Sequence, residues 1–444
     1  MDAMLDSVYA MDRAEMEECA KHLMLGGGTR GGPVLHHGQG VRVWDVDGKE
    51  YIDCTSQSWA LYLGYCHPEI WQAVNDQAQK MTHVHQGFDT LPRFALAKRL
   101  AGIMPAGMSR VSFVPTSAIA LEGAMKLALK NRPGAAHFLC LWDSYHGVTL
   151  GTMGGSWVST QSAGAFMGGS RFLPLTQQFI RVPNPYRYRP YFSNDPDENE
   201  AICLKMLELT IEKGVNGPAA GFLVEPLQAS GGMIPLTRSY LHGVRAICDR
   251  YGVPLIFDEI QTFVRIGAWT AADYYGVTPD MIALGKAVGG GLPLGVTVLR
   301  DGLKGYEPDT EELHTFANNS LSQVGALKLI EIIERDRILD NVNAMGAHLK
   351  DGLVRLQREF PQIGDIRQAG LHIGVELVKD PATKEPDAEA LKRIRKEAMQ
   401  RGVLVGVAGV RKNLFKIKPA LIISREECDE VLNVLADALK AVFR

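Results

Sequence analysis

SYLHGVRAICDRYGVPLIFDE, residues 239–259, decides the fold. Apolar residues recur at helical spacing up to Tyr251, Gly252 offers a C-terminal stop, and the apolar run VPLIF follows at once. That is a compact helix-to-strand unit. Similar short apolar runs stand at HFLCLW (137–142), GFLVEP (221–226) and DMIALGK (280–286), with helical stretches between them. Strands that are apolar on both faces and alternate with helices predict a mostly parallel sheet covered on each side. The fold class is therefore α/β.

Outward from this centre the pattern changes. VRVWDVDGKEYIDC (41–54) alternates apolar and polar residues around Asp47-Gly48, a hairpin signal. The last hundred residues mix strands (HIGVELV, VLVGVAG, LFKIKPALII) with helices (DAEALKRIRKEAMQRG, REECDEVLNVLADALKAVF), the pattern of a smaller α+β domain. Chain termini often meet, so the hairpin is expected to join it. We expect an N-terminal segment at 1–70, a large domain at 71–335 and a small C-terminal domain at 336–444. One amphipathic helix is expected at about 10–24 and one long helix from about 322 to 360, with a break at GGGTRGGP (26–33). The segment 156–200, rich in Gly, Pro, Ser and aromatics, reads as a long functional loop.

Composition narrows the function. The chain has 444 residues, 46% hydrophobic and 22% charged, as in globular proteins. Lys+Arg 47 against Asp+Glu 50 leaves a net charge of -3, with no electrostatic footprint for nucleic acid. Seven scattered cysteines form no CxxC pair, so neither a disulfide framework nor a metal site is suggested. No run of 18 apolar residues predicts a membrane span. The acidic start lacks a secretory signal's features, and a cytoplasmic protein is expected.

Four features carry chemistry. VSFVPTSAIALEGAMKLALK (111–130) is strand, Thr-Ser turn and helix, so Thr116, Ser117 and Ala118 offer helix-start N–H groups to an anion such as phosphate, unless they merely cap the helix. WDSYHGVT (142–149) sets Tyr145 and His146 just after a strand, where ligands of open sheets bind; an ordinary packed Tyr and a satisfied His are the plainer reading. Asp258 and Glu259 close the buried run VPLIF, where a carboxylate needs a partner, although a helix cap or a solvated strand end fits the same position; Gln261 and Arg265 follow. Lys286 ends another buried run ahead of three glycines, where desolvation frees a nucleophilic amine, although a snorkelling lysine fits the same position. An anion cradle, a stacking aromatic, a buried acid for a ring nitrogen and a lysine for an imine together specify pyridoxal 5′-phosphate (PLP).

From about residue 30 onward the chain resembles the class III (ω-amino acid) aminotransferases, a branch of the fold-type I PLP enzymes. The pieces that carry the likeness are YIDCTSQSWALYLGYCHPEI, SYHG, VEPLQASGG, FDEIQT, ALGKAVGGGLPLG, HTFANNSL and KPALIISREECDEV, in matching order. The resemblance implies a fold-type I enzyme in which Lys286 is the Schiff-base lysine, Asp258 the partner of the pyridine nitrogen and Tyr145 the stacking aromatic. It implies phosphate donors at Ser117 and Ala118, Gln261 near the ring hydroxyl, and Glu225 as an active-site carboxylate. Thr315 resembles the residue that reaches the phosphate of a neighbouring subunit, which implies a homodimer with active sites at the interface. The substrates implied are an amine or amino acid and a keto acid or aldehyde.

Departures from the family pattern fall at substrate positions. Ser117-Ala118-Ile119 stands where Gly-(Ser/Ala)-Glu is usual. Ser230 replaces a glutamate and Lys416 a carboxylate-gripping arginine, so both halves of the family's usual Glu–Arg pair are altered. A lysine binds an anion as a point charge and lacks the arginine fork. Ser230 and the TSxxxxxxLGxCHPEI stretch resemble the dialkylglycine decarboxylases, and the Lys of KIKP resembles phospholyases. FDEIQTFVRIG is one residue shorter than usual, which leaves Arg265 without a clear family role. Trp59, Ser230 and Lys416, with Ser58 and Gln57, are the expected substrate pocket. Amino transfer is the leading expectation. Decarboxylation, elimination or racemisation by the same cofactor is the alternative, and a silent scaffold is the third.

Overall fold

The computed structural model describes residues 3–24, 32–156, 158, 169–176, 179–308 and 310–444. Near the N-terminus, β1 (Leu35–Gln39), β2 (Arg42–Asp45) and β3 (Glu50–Cys54) form an antiparallel meander. The turn between β2 and β3 falls at Asp47-Gly48, and Gly48 takes φ +80°, which suits glycine.

The chain then builds a seven-stranded sheet from β4 (Arg110–Val114), β5 (His137–Leu141), β6 (Phe179–Val182), β7 (Ala219–Val224), β10 (Leu255–Asp258), β11 (Met281–Leu284) and β12 (Gly295–Leu299). Two short strands, β8 (Leu227–Gln228) and β9 (Ile234–Pro235), pair outside it. The order is β4-β12-β11-β10-β7-β5-β6, and the run from β11 to β6 is parallel throughout. Only β12 runs against its neighbours. Leu255, Ile256 and Phe257 are fully buried, as the both-faces-apolar pattern requires. Each contributes about 1.5–3 kcal/mol of burial, which offsets the cost of carrying a carboxylate into the sheet at Asp258. The helix Ser117–Asn131 lays Leu121, Ala124 and Ala128 against Phe138, Leu223 and Ile256.

A second seven-stranded sheet unites the two ends of the chain. Its order is β1-β2-β3-β15-β16-β14-β13, with β13 (Ile363–Ala369), β14 (His372–Leu377), β15 (Val403–Ala408) and β16 (Leu414–Ile417). The join is the parallel pair β3–β15, with Asp53 opposite Leu404. Two helices, Ala388–Gln400 and Arg425–Phe443, belong to this C-terminal part, the latter opened by a Ser424/Glu427 capping box.

Three local expectations are corrected. The helix expected at 10–24 is the shorter Arg13–Ala20, because the Asp12 carboxylate accepts from the Glu15 N–H and starts it there; a separate helix, Ala3–Tyr9, precedes it. The helix from 322 to 360 is two, Ser320–Arg335 and Ile338–Glu359, with Arg337 left-handed (φ +53°) between them. Within 156–200, β6 and the first turn of a helix at Pro196–Leu209, capped by Asp195, interrupt the expected loop. Residues 157, 159–168, 177 and 178 of that segment, and 26–31 of the expected break, lie outside the described residues.

Candidate active site

The carboxyl ends of β5, β7, β10 and β11 open on a cavity of about 280 Å³, with the start of the helix Ser117–Asn131 as a further wall. Six of the residues singled out from sequence line it from separate elements: Ser117, Tyr145, Glu225, Asp258, Gln261 and Lys286. Ala118 and His146 line it too. Parallel strands aim all their carboxyl ends one way, so residues distant in sequence meet there.

Asp258 is buried, and its Oδ2 lies 2.8 Å from Nδ1 of the equally buried His146. The carboxylate accepts, so Nδ1 of this imidazole carries the proton. Asp258 Oδ1 also accepts from the Ile260 N–H at 3.2 Å. His146 Nε2 is buried without a hydrogen-bond partner. The backbone N–H of His146 is held by Ser156 Oγ at 2.8 Å. His146 thus orients the acid.

Glu225 fixes the backbone around Tyr145. Its two oxygens accept from the N–H of Tyr145 at 2.8 Å and of Ala229 at 3.2 Å. Burial pushes its carboxyl up to about 7; the neighbouring His146 opposes this, and Asp258 adds to it. Lys286 follows β11 with φ +50°. Burial lowers its ammonium below the usual lysine range, while Asp258 and Glu225 pull the other way. A lysine so placed has more of the free amine that nucleophilic chemistry needs.

The helix start is built for close approach. The Lys286 N–H donates to Ser117 Oγ at 3.2 Å. A Cβ on Gly285 would stand 2.1 Å from that Oγ and 3.0 Å from Ser117 Cα, so only glycine lets the two segments touch. Thr116 is extended (φ -143°, ψ 159°) and its side chain makes no capping bond, so it is not the ordinary cap that sequence left open. The N–H groups of the first helical turn have no partner within the helix and suit an anion.

On the substrate side, Ser56, Gln57, Ser58 and Trp59 all take positive φ (36°, 47°, 59° and 69°). This left-handed turn presents the Trp59 indole to three lysines. Their Nζ atoms lie 3.8 Å (Lys416), 4.2 Å (Lys418) and 6.0 Å (Lys286) from the ring centroid. Burial and then repulsion from Lys286 push Lys416 down to about 7, against attraction from Glu225. Lys416 packs over Gly406, its partner across β15, with Cε 3.3 Å from where a Cβ would be. Ser230 is tied to the loop after β15, its carbonyl accepting from the Gly409 N–H at 3.0 Å. Gln57 turns away, its amide on Asp53 and the Tyr65 hydroxyl, and Ser58 is exposed.

Other expected residues fall elsewhere. Arg265 is fully buried outside the cavity and donates to the carbonyls of Leu371 and Pro419 and to Ser56 Oγ, which joins the central sheet to both chain ends. Thr315 is exposed and not in this cavity. Lys418 was missed. The signal was present: in an extended KIKP stretch, residues two apart share a face, so Lys418 follows Lys416 inward. Among the described residues, no cluster of three His, Cys, Asp or Glu is placed to hold a metal ion, and no helix is long and apolar enough to cross a membrane.

Comparison with known proteins agrees across the whole chain. A family model described as aminotransferase class-III matches residues 30–439. The chain is 32% identical to a diaminobutyrate–2-oxoglutarate aminotransferase of Rhizobium meliloti (strain 1021), covering 100% of this chain and 94% of that protein. It is 31% identical to an isoleucine 2-epimerase of Lentilactobacillus buchneri, covering 92% and 90%. Among solved structures, a Bacillus anthracis aminotransferase superposes with a TM-score of 0.88 at 26% identity over 100% of both chains. An amine transaminase from an uncultivated Pseudomonas species, in its PLP-bound form, superposes with a TM-score of 0.85 at 27% identity, covering 95% of this chain and 98% of that one.

Proposed function

The chain belongs to the class-III aminotransferase family, and on that premise we propose that it holds pyridoxal 5′-phosphate in the 280 Å³ cavity and uses it to move an amino group from an amine or amino acid to a keto acid or aldehyde. One observation carries this reading: a half-buried lysine, a buried acid and an uncapped helix start open on one cavity from three separate elements. The residues fit the cofactor's three demands, an amine for its aldehyde, an acid for its ring nitrogen and N–H donors for its phosphate.

When bound, pyridoxal phosphate supplies a carbonyl that captures amines and a protonated ring that accepts the electron pair freed at the substrate's Cα. Asp258 holds the ring nitrogen's proton, and His146 keeps the carboxylate turned towards it. Ser117 and Ala118 anchor the phosphate through helix-start N–H groups. Tyr145, with its backbone held by Glu225, covers the ring. With the cofactor bound, Lys286 would take a proton from the substrate's Cα and return one as general base and acid. Burial lowers its ammonium below the usual lysine range, which favours the free amine that a base needs.

Lys416, backed by the Trp59 face, grips an anionic group of the substrate, with Ser230 as a further substrate residue. A neighbouring copy completes the site through Thr315. Thr315 sits in an apolar surface patch of Phe88, Leu91, Phe94, Leu313 and Phe316, with Phe88 70% and Leu91 82% exposed. The two segments of the patch are tied by Gln86–Glu312, His314–Gln86 and Asn318–Phe88 hydrogen bonds. Exposed apolar side chains grouped on these two segments support a homodimer face. The chain ends share one sheet, which supports parts at 1–70, 71–335 and 336–444. All seven thiols are free, which supports a reducing, cytoplasmic setting.

A second reading keeps the cofactor and changes the bond broken, to decarboxylation, elimination or racemisation. The buried Lys416–Lys418 pair favours a strongly anionic substrate in either reading. A panel of amines and amino acids offered to the cofactor-loaded enzyme separates them. Transfer gives loss of the yellow colour and a carbonyl product without carbon dioxide or phosphate. Release of phosphate or carbon dioxide, or inversion of a single enantiomer, supports the second reading instead.

A further inference from the structure

Lys418 stands just past β16 and is 0% exposed. Its backbone is pinned on both sides to the N-terminal segment: its N–H donates to the Cys54 carbonyl at 2.9 Å and its carbonyl accepts from Ser56 Oγ at 2.8 Å. The side chain therefore has one direction to go, inward. Its Nζ reaches Gln261 Oε1 at 3.0 Å, with the Trp59 ring 4.2 Å away.

We propose that Lys418 is a positioning residue that acts through Gln261, holding the amide oxygen so that the amide N–H₂ faces the cofactor cavity as a donor. This rests on the pyridoxal phosphate reading above. The Nζ sits against the oxygen end of the amide and donates to it, which leaves the nitrogen end for the cavity that Gln261 lines. Without that bond the two ends of the amide would be free to exchange. The carbonyl oxygen could then face the cavity, where it would repel a bound anionic oxygen.

A purely structural lysine would not be built this way. Among the described residues, the charged groups that act most strongly on it are Arg265, Lys416 and Lys286, all repelling, and Glu225, attracting, with His372 alongside. Burial and these neighbours hold its ammonium well below the usual range. A buried amine with one neutral acceptor and no close carboxylate weakens the fold, and an apolar side chain of similar length would pack there at lower cost. Such a residue makes sense where its bond to Gln261 serves the cavity.

The test uses the full chain, stripped of cofactor and titrated with pyridoxal phosphate. Lys418→Met is expected to melt at or above the wild-type temperature, yet to bind the cofactor about ten-fold more weakly, the loss expected for one hydrogen bond. The pH midpoint of the bound chromophore is expected to rise, because losing the Gln261 donor makes the ring oxygen more basic and the attached Lys286 nitrogen easier to protonate. Lys418→Gln, which still offers a donor to Gln261, is expected to restore both affinity and midpoint. In a Gln261→Met background, Lys418→Met is expected to change neither. Wild-type affinity and midpoint in Lys418→Met, or an equal loss in the Gln261→Met background, would overturn the proposal. Absence of cofactor binding by the wild-type chain would instead sink the functional reading beneath it.

Discussion

Replacing His146 with leucine separates the orientation of Asp258 from its presence. The two side chains are buried, 0% and 5% exposed, and meet at 2.8 Å. Leucine approximates the imidazole's volume, so packing changes little. It also removes Nε2, which is buried with no hydrogen-bond partner. What disappears is one hydrogen bond to a charged acceptor, about 1.5–3 kcal/mol. Asp258 keeps only the Ile260 N–H, at 3.2 Å on the other oxygen. Leaving the carboxylate under-partnered costs stability and removal of Nε2 returns some, so melting should shift by a few degrees at most. The full effect should appear where Asp258 must face a cationic nitrogen. A loss of about 2 kcal/mol is roughly a 30-fold weaker cofactor affinity. The assay is titration of the cofactor-free variant with pyridoxal phosphate, followed by the absorbance of the bound form and checked by calorimetry. A dissociation constant within two-fold of wild type would refute the claim that His146 orients the acid.

Three further outcomes are expected. Lys416 is charged below about pH 7 in the folded chain and neutral above it, so KM for an anionic substrate should climb as pH rises through 7; Lys416→Met should show a raised, flat profile, and a wild-type profile in that variant would dismiss the residue as the anion grip. Phe316→Asp, in the exposed patch around Thr315, should shift sedimentation from dimer to monomer and weaken cofactor binding, whereas an unchanged mass with full activity would remove the dimer face. Ser58 holds φ +59° on an exposed turn, so Ser58→Gly should gain about 0.5 kcal/mol in thermal unfolding.

Local and long-range features differ in how far the sequence reveals them. The helix-to-strand unit at 239–259 was legible because both periodicities and the Gly252 stop lie within a few turns of chain. The gathering of Asp258, Glu225, Tyr145 and Lys286 was legible for a related reason: each follows a buried apolar run, and parallel strands bring such ends together. Helix breaks were harder. Nothing in the periodicity marks the left-handed Arg337, and Asp12 reads equally well as a helix surface or as a cap. Contacts set by tertiary packing were least visible. The Ser56–Trp59 run contains no glycine to announce its positive φ, so the lysine-ringed indole could not be read ahead. The His146 bond to Asp258 spans 112 positions, and His146 alone looks like any core histidine. Arg265, read beside the site, proved to be a buried link between chain segments because its donors find main-chain carbonyls there.

The most direct measurement reduces the untreated, cofactor-loaded protein with borohydride, digests it and locates the cofactor's added mass by mass spectrometry. The account predicts that mass on Nζ of Lys286 and its absence from the Lys286→Ala variant. Its appearance on Lys416, on Lys418 or on no lysine at all would contradict it.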